Sequence, residues 1–134
     1  MTPAITYLMS NSVRLPGPEA RFAMTDINAF IDDKVKNNDV FLFMKGSPDF
    51  PQCGFSGQVV QILSYLGVEY GSANVLESAE LRDGIKAYTN WPTIPQLYVK
   101  GEFVGGADIV REMFQAGELQ THLESHGIPV KQTA

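Results

Sequence analysis

The sequence predicts an α/β fold, a four-stranded mixed sheet with helices on both faces. Three observations carry this expectation. Helical and strand patterns alternate through the first part of the chain, Val40 to Met44 is a short continuous apolar run, and two later strand patterns meet at Lys100-Gly101 as a hairpin. Alternation calls for parallel pairing through helical crossovers, the hairpin adds an antiparallel pair, and the sum is a mixed sheet.

The elements follow in order. Thr25 or Asp26 caps a helix whose apolar residues Ile27, Phe30, Ile31 and Val35 share one face, and Asn37-Asn38 ends it. Val40 to Met44 is too short for a helix and reads as a strand buried on both faces. A loop with two prolines, Lys45 to Gln52, leads directly to Cys53. Beyond Gly57, Val59, Ile62, Leu63 and Leu66 recur at i, i+3, i+4 and i+7, and Gly67 supplies a stop. Glu69 to Val75 is a weaker strand, after which Ser78 caps a helix that turns Leu81 and Ile85 inward and Arg82 and Lys86 outward. Asn90-Trp91-Pro92-Thr93-Ile94-Pro95 breaks the chain. Gln96 to Val99 alternates like a strand and pairs with Glu102 to Val104. Gly105-Gly106 opens a helix with Ile109, Val110, Met113 and Phe114 as its buried stripe, and beyond Gly117 a short final helix carries Leu119 and Leu123.

Composition bounds the function. Of 134 residues, 44% are apolar, enough for a core, and no apolar run approaches the length of about 18 that spans a bilayer. Fifteen acids against ten bases give a net charge of -5, which argues against nonspecific nucleic-acid binding, since that needs clustered Lys and Arg. One cysteine excludes an intramolecular disulfide and a zinc site built from this chain's thiols alone, and it suits a reducing compartment. Residues 1–24 hold no Lys, one acid, two arginines and a Leu15-Pro16-Gly17-Pro18 break, and read as a disordered extension. An upstream start with Met24 as the true start, an organelle-targeting leader and a plain extension all fit it. Residues 25–127 form the folded domain, and 128–134 a flexible tail.

Chemistry concentrates at Cys53. Between a strand and the first turn of a helix, a thiol meets the positive end of the macrodipole and free backbone N–H groups, and both favour thiolate. Lys45 adds a charge from the end of the strand. Free cysteines are more often small buried hydrophobes. Here, however, Pro51-Gln52-Cys53-Gly54-Phe55-Ser56 sets the thiol in a Pro- and Gly-bounded loop outside any apolar stripe, with Ser56 where a Cys-x-x-Cys pair would have its second sulfur. A lone thiolate closes no disulfide of its own, so redox or metal chemistry must borrow another thiol.

Lys45-Gly46-Ser47-Pro48, Cys53-Gly54-Phe55-Ser56, Trp91 to Val99 (WPTIPQLYV) and Gly105-Gly106-Ala107-Asp108-Ile109 stand in the order found in the monothiol, CGFS-type glutaredoxins, which the chain strongly resembles over about residues 25 to 126. The resemblance implies a thioredoxin-like fold. It also implies glutathione-dependent binding of a [2Fe-2S] cluster between two subunits and its transfer in iron-sulfur cluster assembly, with weak disulfide-reductase activity. Four thiolates hold such a cluster. Two chains supply two, so two glutathione thiols complete the set and the holo form implied is a bridged homodimer. Iron-sulfur acceptor proteins and a BolA-like protein, which would bring a histidine ligand, are the partners implied.

The family pattern also carries over site residues. Cys53 is the catalytic thiol and the metal ligand. Lys45, Arg82 and, less securely, Lys86 meet the carboxylates of glutathione; Thr93-Ile94-Pro95, with a cis bond at Pro95, pairs with the tripeptide backbone as an added strand would. Gly106 and Ala107 offer helix N-terminal N–H groups, Asp108 takes the ammonium or caps the helix, and Phe55 shields the sulfur. Taken singly, the charged residues are ordinary surface residues, Trp91 packs at the end of a helix, Met44 and Met113 are core, and His122 and His126 are surface histidines. Many family members have cysteine where this chain has Ala107, and its absence weakens a self-contained redox cycle. Two functions stay open, cluster carrier and glutathione-dependent thiol-disulfide oxidoreductase acting on glutathionylated substrates. The long loop Ser47 to Gln52 resembles that of the carriers. Bacterial cytoplasm and mitochondrial matrix both fit.

Overall fold

Val40–Met44 is the strand on which the rest is built, with all five residues buried; we call it β1. In the computed structural model, which describes residues 24–131, it lies between β2 (Gly71–Asn74) and β3 (Gln96–Val99), with β4 (Glu102–Gly105) beyond β3. β1 pairs parallel with β2 and antiparallel with β3, and β3 pairs antiparallel with β4, so the sheet is mixed as expected. Among the described residues the helices are α1 (Met24–Lys36), α2 (Gly54–Leu66), α3 (Ala79–Thr89), α4 (Ala107–Gln115) and α5 (Glu118–Ser125), with a 3-10 turn at Val75–Glu77.

The pleat of β1 divides the core in two. Val40, Leu42 and Met44 face one side with Val59, Leu63 and Leu66 of α2, Val110 of α4 and Leu119 and Leu123 of α5. Phe41 and Phe43 face the other, with Ile27, Ile31 and Val35 of α1 and Leu81 and Ile85 of α3. Helices thus cover both faces. The apolar spacings of α1, α2 and α3 behave as their period predicts, and two of the stops and caps are visible: Gly67 ends α2 in the left-handed conformation (φ 70°), and the Ser78 hydroxyl oxygen accepts the Leu81 N–H at 3.1 Å.

Several local expectations change. Helix α1 already begins at Met24, so Thr25 and Asp26 belong to its first turn and neither is its cap. The weaker strand shortens to Gly71–Asn74 because Val75 turns into the core, fully buried. β3 does not alternate: all four of its residues are buried, since it lies between two strands under helices on both faces. On α4 only Val110 of the expected stripe is buried; Ile109, Met113 and Phe114 are half-buried at its margin. His122 and His126 are half-buried, their rings 4.4 Å apart, rather than on the open surface. The folded unit runs beyond 127, because Ile128 is buried in the core and the Lys131 N–H donates to the Leu66 carbonyl at 2.8 Å. Of the extension expected over residues 1–24, Met24 is instead the first residue of α1, and the rest lies outside the described residues.

Candidate functional site

The loop between β1 and α2 is tied back on itself. Ser47 and Phe50 exchange backbone hydrogen bonds of 3.2 and 3.1 Å, and the Gln52 N–H donates to the Lys45 carbonyl at 2.9 Å. Gly46 sits inside this turn at φ 93°, with its N–H donated to Asn74 Oδ1 at 2.9 Å. The same Asn74 oxygen accepts the Leu76 N–H, so one side chain fastens the loop to the end of β2. Ser56, fully buried, accepts the Lys45 N–H at 3.1 Å. The position that would hold a second sulfur is therefore a structural anchor.

This loop delivers Cys53, half-exposed, to the N-cap position of α2. The side chain makes no aligned capping hydrogen bond. Even so, the thiol is held below its ordinary pKa, first by the Ser56 N–H, opposed by partial burial, and then by the Phe55 N–H, the Lys45 charge and the Ser56 hydroxyl. A group with a depressed pKa is ionised over a wider range at its low-pH side, so alkylation of Cys53 is expected to reach half-maximal rate below the pH of a free cysteine. Lys45→Met should move that midpoint up, modestly, because the helix amides remain. A midpoint at or above that of a free cysteine in a pH series of iodoacetamide rates would contradict this account.

Cys53 lies in a shallow depression with Pro51, Gln52 and Gly54. A separate groove of about 160 Å³, which Cys53 does not line, opens on the Phe55 side of its turn. One wall is Trp91, Thr93, Ile94 and Pro95, and the other is Gly106, Ala107, Asp108 and Ile109, with Phe55 reaching across from α2. The Ile94–Pro95 peptide is cis, as expected. Gly106 caps α4, and a Cβ there would come within 3.3 Å of both the Pro95 carbonyl oxygen and Trp91 Nε1, so the walls approach closely because that residue is glycine. Asp108 is consequently not the cap. It is exposed in the first turn of α4, where it pairs with Arg111 at 3.3 Å. Phe55 is 56% exposed and Phe50 is 74% exposed, which places two aromatic rings in solvent near the thiol.

A model of the glutaredoxin family matches residues 40–104. The chain is 56% identical over 97 residues to a probable monothiol glutaredoxin 2 of Rickettsia conorii, covering 72% of this chain and 91% of that one. It is 47% identical over 128 residues to the mitochondrial monothiol glutaredoxin-5 of Lachancea kluyveri, covering 92% and 85%. The chain belongs to the monothiol glutaredoxins. Among solved structures, reduced apo GrxS14 of poplar is 50% identical with a TM-score of 0.71, covering 79% of this chain and 98% of that one. A monomeric truncated mutant of Trypanosoma brucei 1-C-Grx1 gives 43% and 0.73, covering 78% and 96%. The thioredoxin-like fold is thereby established.

Within this glutaredoxin, seven of the residues nominated from sequence line one groove: Phe55, Thr93, Ile94, Pro95, Gly106, Ala107 and Asp108. Lys45 acts on the thiol through its charge. Arg82 and Lys86 are half-buried on α3 and are not among the groove's lining residues. They occupy a helix that joins the end of β2 to the start of β3. Because Asn74 pairs with Met44 and Gln96 with Phe43, both ends of that connection lie at the edge from which Cys53 emerges. Trp91 and Ile109 are groove residues that periodicity assigned to packing. Trp91 does both, its ring packed at a tilt of 53° against Phe103 with centroids 5.6 Å apart.

Proposed function

We propose that this monothiol glutaredoxin carries a [2Fe-2S] cluster, held by Cys53 of two chains and two glutathione thiols, and passes it to acceptor proteins. The observation that carries the reading is the isolation of Cys53: a half-exposed thiol two residues before Phe55 of the groove, its pKa lowered first by the Ser56 N–H, with no group of three or more Cys, His, Asp or Glu placed to hold a metal among the described residues. Such a thiolate fits a cluster only as one ligand among four, and the others must come from outside the chain. The groove suits an extended tripeptide, with backbone groups of the Thr93-Ile94-Pro95 wall on one side and the first N–H groups of α4 on the other. Lys45, Arg82 and Lys86 supply positive charge for its carboxylates. Transfer is ligand exchange: acceptor thiolates replace those of Cys53 and glutathione, with no net oxidation. Acceptors and a BolA-like partner belong to the same reading. A reduced lone thiol suits the bacterial cytoplasm and the mitochondrial matrix alike.

The same thiolate supports an oxidoreductase. Cys53 would attack the glutathione sulfur of a mixed disulfide, releasing the substrate thiolate; a second glutathione thiolate would then attack glutathionylated Cys53, giving glutathione disulfide and free Cys53. Anaerobic reconstitution with iron and sulfide, with and without glutathione, separates the two. A visible chromophore that needs glutathione supports the carrier. A colourless protein that reduces glutathionylated peptides contradicts it and leaves the oxidoreductase.

A further inference from the structure

A polar side chain at the start of β3 is out of keeping with its surroundings. Gln96 is fully buried, beneath the groove wall, and its carboxamide is engaged at both ends. The Nε2 hydrogens donate to the Trp91 and Thr93 carbonyls, each at 3.2 Å. Oε1 accepts the Tyr98 hydroxyl at 3.0 Å, and the Thr89 hydroxyl lies 3.2 Å away. The orientation of the amide is fixed by its partners: carbonyls only accept, so the nitrogen must face them. Tyr98 is buried and its phenol pKa is pushed far up, chiefly by desolvation, which keeps it a donor at working pH. The Thr89 hydroxyl in turn accepts the Trp91 N–H at 3.1 Å and can donate its one proton to the Ile85 carbonyl at 2.9 Å or to Gln96.

We propose that Gln96 is a positioning residue that presets the Trp91–Pro95 wall for its ligand. Two carbonyls two residues apart are turned inward onto one carboxamide, so the segment wraps around Gln96 and shows its remaining groups to the groove. A hydrophobic residue of the same length would fill the core equally well but would leave both carbonyls without partners, free to rotate toward water. The wall would then visit its binding form only part of the time, and apparent affinity falls by that fraction. That the ligand is glutathione rests on the function proposed above.

Trp91, the chain's single tryptophan, reports on this wall directly. Acrylamide quenching and emission wavelength of Gln96→Met without ligand are compared with the parent protein, and glutathione is then titrated into each. The expected results are stronger quenching with red-shifted emission, and half-saturation at about tenfold more glutathione, the factor by which the binding-competent wall is depleted. Cys53 alkylation should stay within about twofold, since its helix amides are untouched. Unchanged quenching and an unchanged titration would overturn the inference and make Gln96 a core residue only. A parent protein that ignores glutathione would instead refute the ligand assignment, and the quenching comparison would still decide the role of Gln96. Should Gln96→Met not fold, Tyr98→Phe, which keeps the carboxamide but removes the shorter of its two hydroxyl donors, must show the same shift in quenching at smaller size; parent-like quenching there overturns the inference as well.

Discussion

Cys53→Ser is expected to leave a folded protein that neither assembles a cluster nor exchanges thiols. Cys53 is the only thiol in the chain, and a serine hydroxyl at neutral pH is neither a thiolate ligand nor a competent nucleophile toward disulfides. Two serine chains would leave a cluster with glutathione thiols alone, half of the set it needs. The fold should not suffer. Cys53 is half-exposed and makes no capping hydrogen bond, whereas serine is among the preferred N-cap residues, so a thermal melt should shift by little, and upward if at all. Full chromophore in Cys53→Ser after reconstitution would show that the ligand assignment is wrong.

The second large effect is expected at Gly46. A Cβ there would stand 2.5 Å from both the Phe50 carbonyl oxygen and the Gln52 backbone nitrogen, at a backbone angle of +93° that side-chain-bearing residues avoid. Neither obstacle is a flexible side chain, so Gly46→Ala must open the loop. We expect a cost of about 3 kcal/mol in urea unfolding, from strain and the lost backbone pairing together. Slower alkylation should accompany it, because the loop that sets Cys53 on α2 is displaced. Gly54→Ala is the control: its Cβ meets nothing within 4 Å in the first turn of α2, and stability should hold or rise slightly. A loss below about 1 kcal/mol in Gly46→Ala would mean that the loop yields without consequence for the fold.

Much of this molecule could be read before its structure because local rules and the global fold agree. The apolar run of β1, the Ser78 cap, the Gly67 stop and the Lys100-Gly101 turn each act within a few residues, and each is where it was expected. The turn shows the mechanism plainly: both of its residues take positive φ, 52° and 83°, as a tight hairpin requires. What periodicity could not supply was long-range. The alternation of Gln96 to Val99 marks a strand but not the burial of Gln96, because a buried glutamine is recognisable only from partners at positions 89, 91, 93 and 98 brought together by the fold. Asn74 looked like the end of a weak strand, and only the closure of β1 on β2 reveals it as the anchor of the Cys53 loop. The groove itself was legible through family resemblance, since nothing in spacing brings Phe55, Ile94 and Gly106 to one place. Resemblance also nominated Arg82 and Lys86, which lie half-buried on α3 and are not among the residues lining the groove.

Under the proposed function, one thiolate per chain becomes a cluster site only with borrowed thiols. Native mass spectrometry of the protein reconstituted anaerobically with iron, sulfide and glutathione tests it most directly. The expected species holds two chains, one [2Fe-2S] cluster and two glutathiones, and is absent when glutathione is omitted. A cluster-bearing species of the same intensity without glutathione, or one held by a single chain, would contradict it.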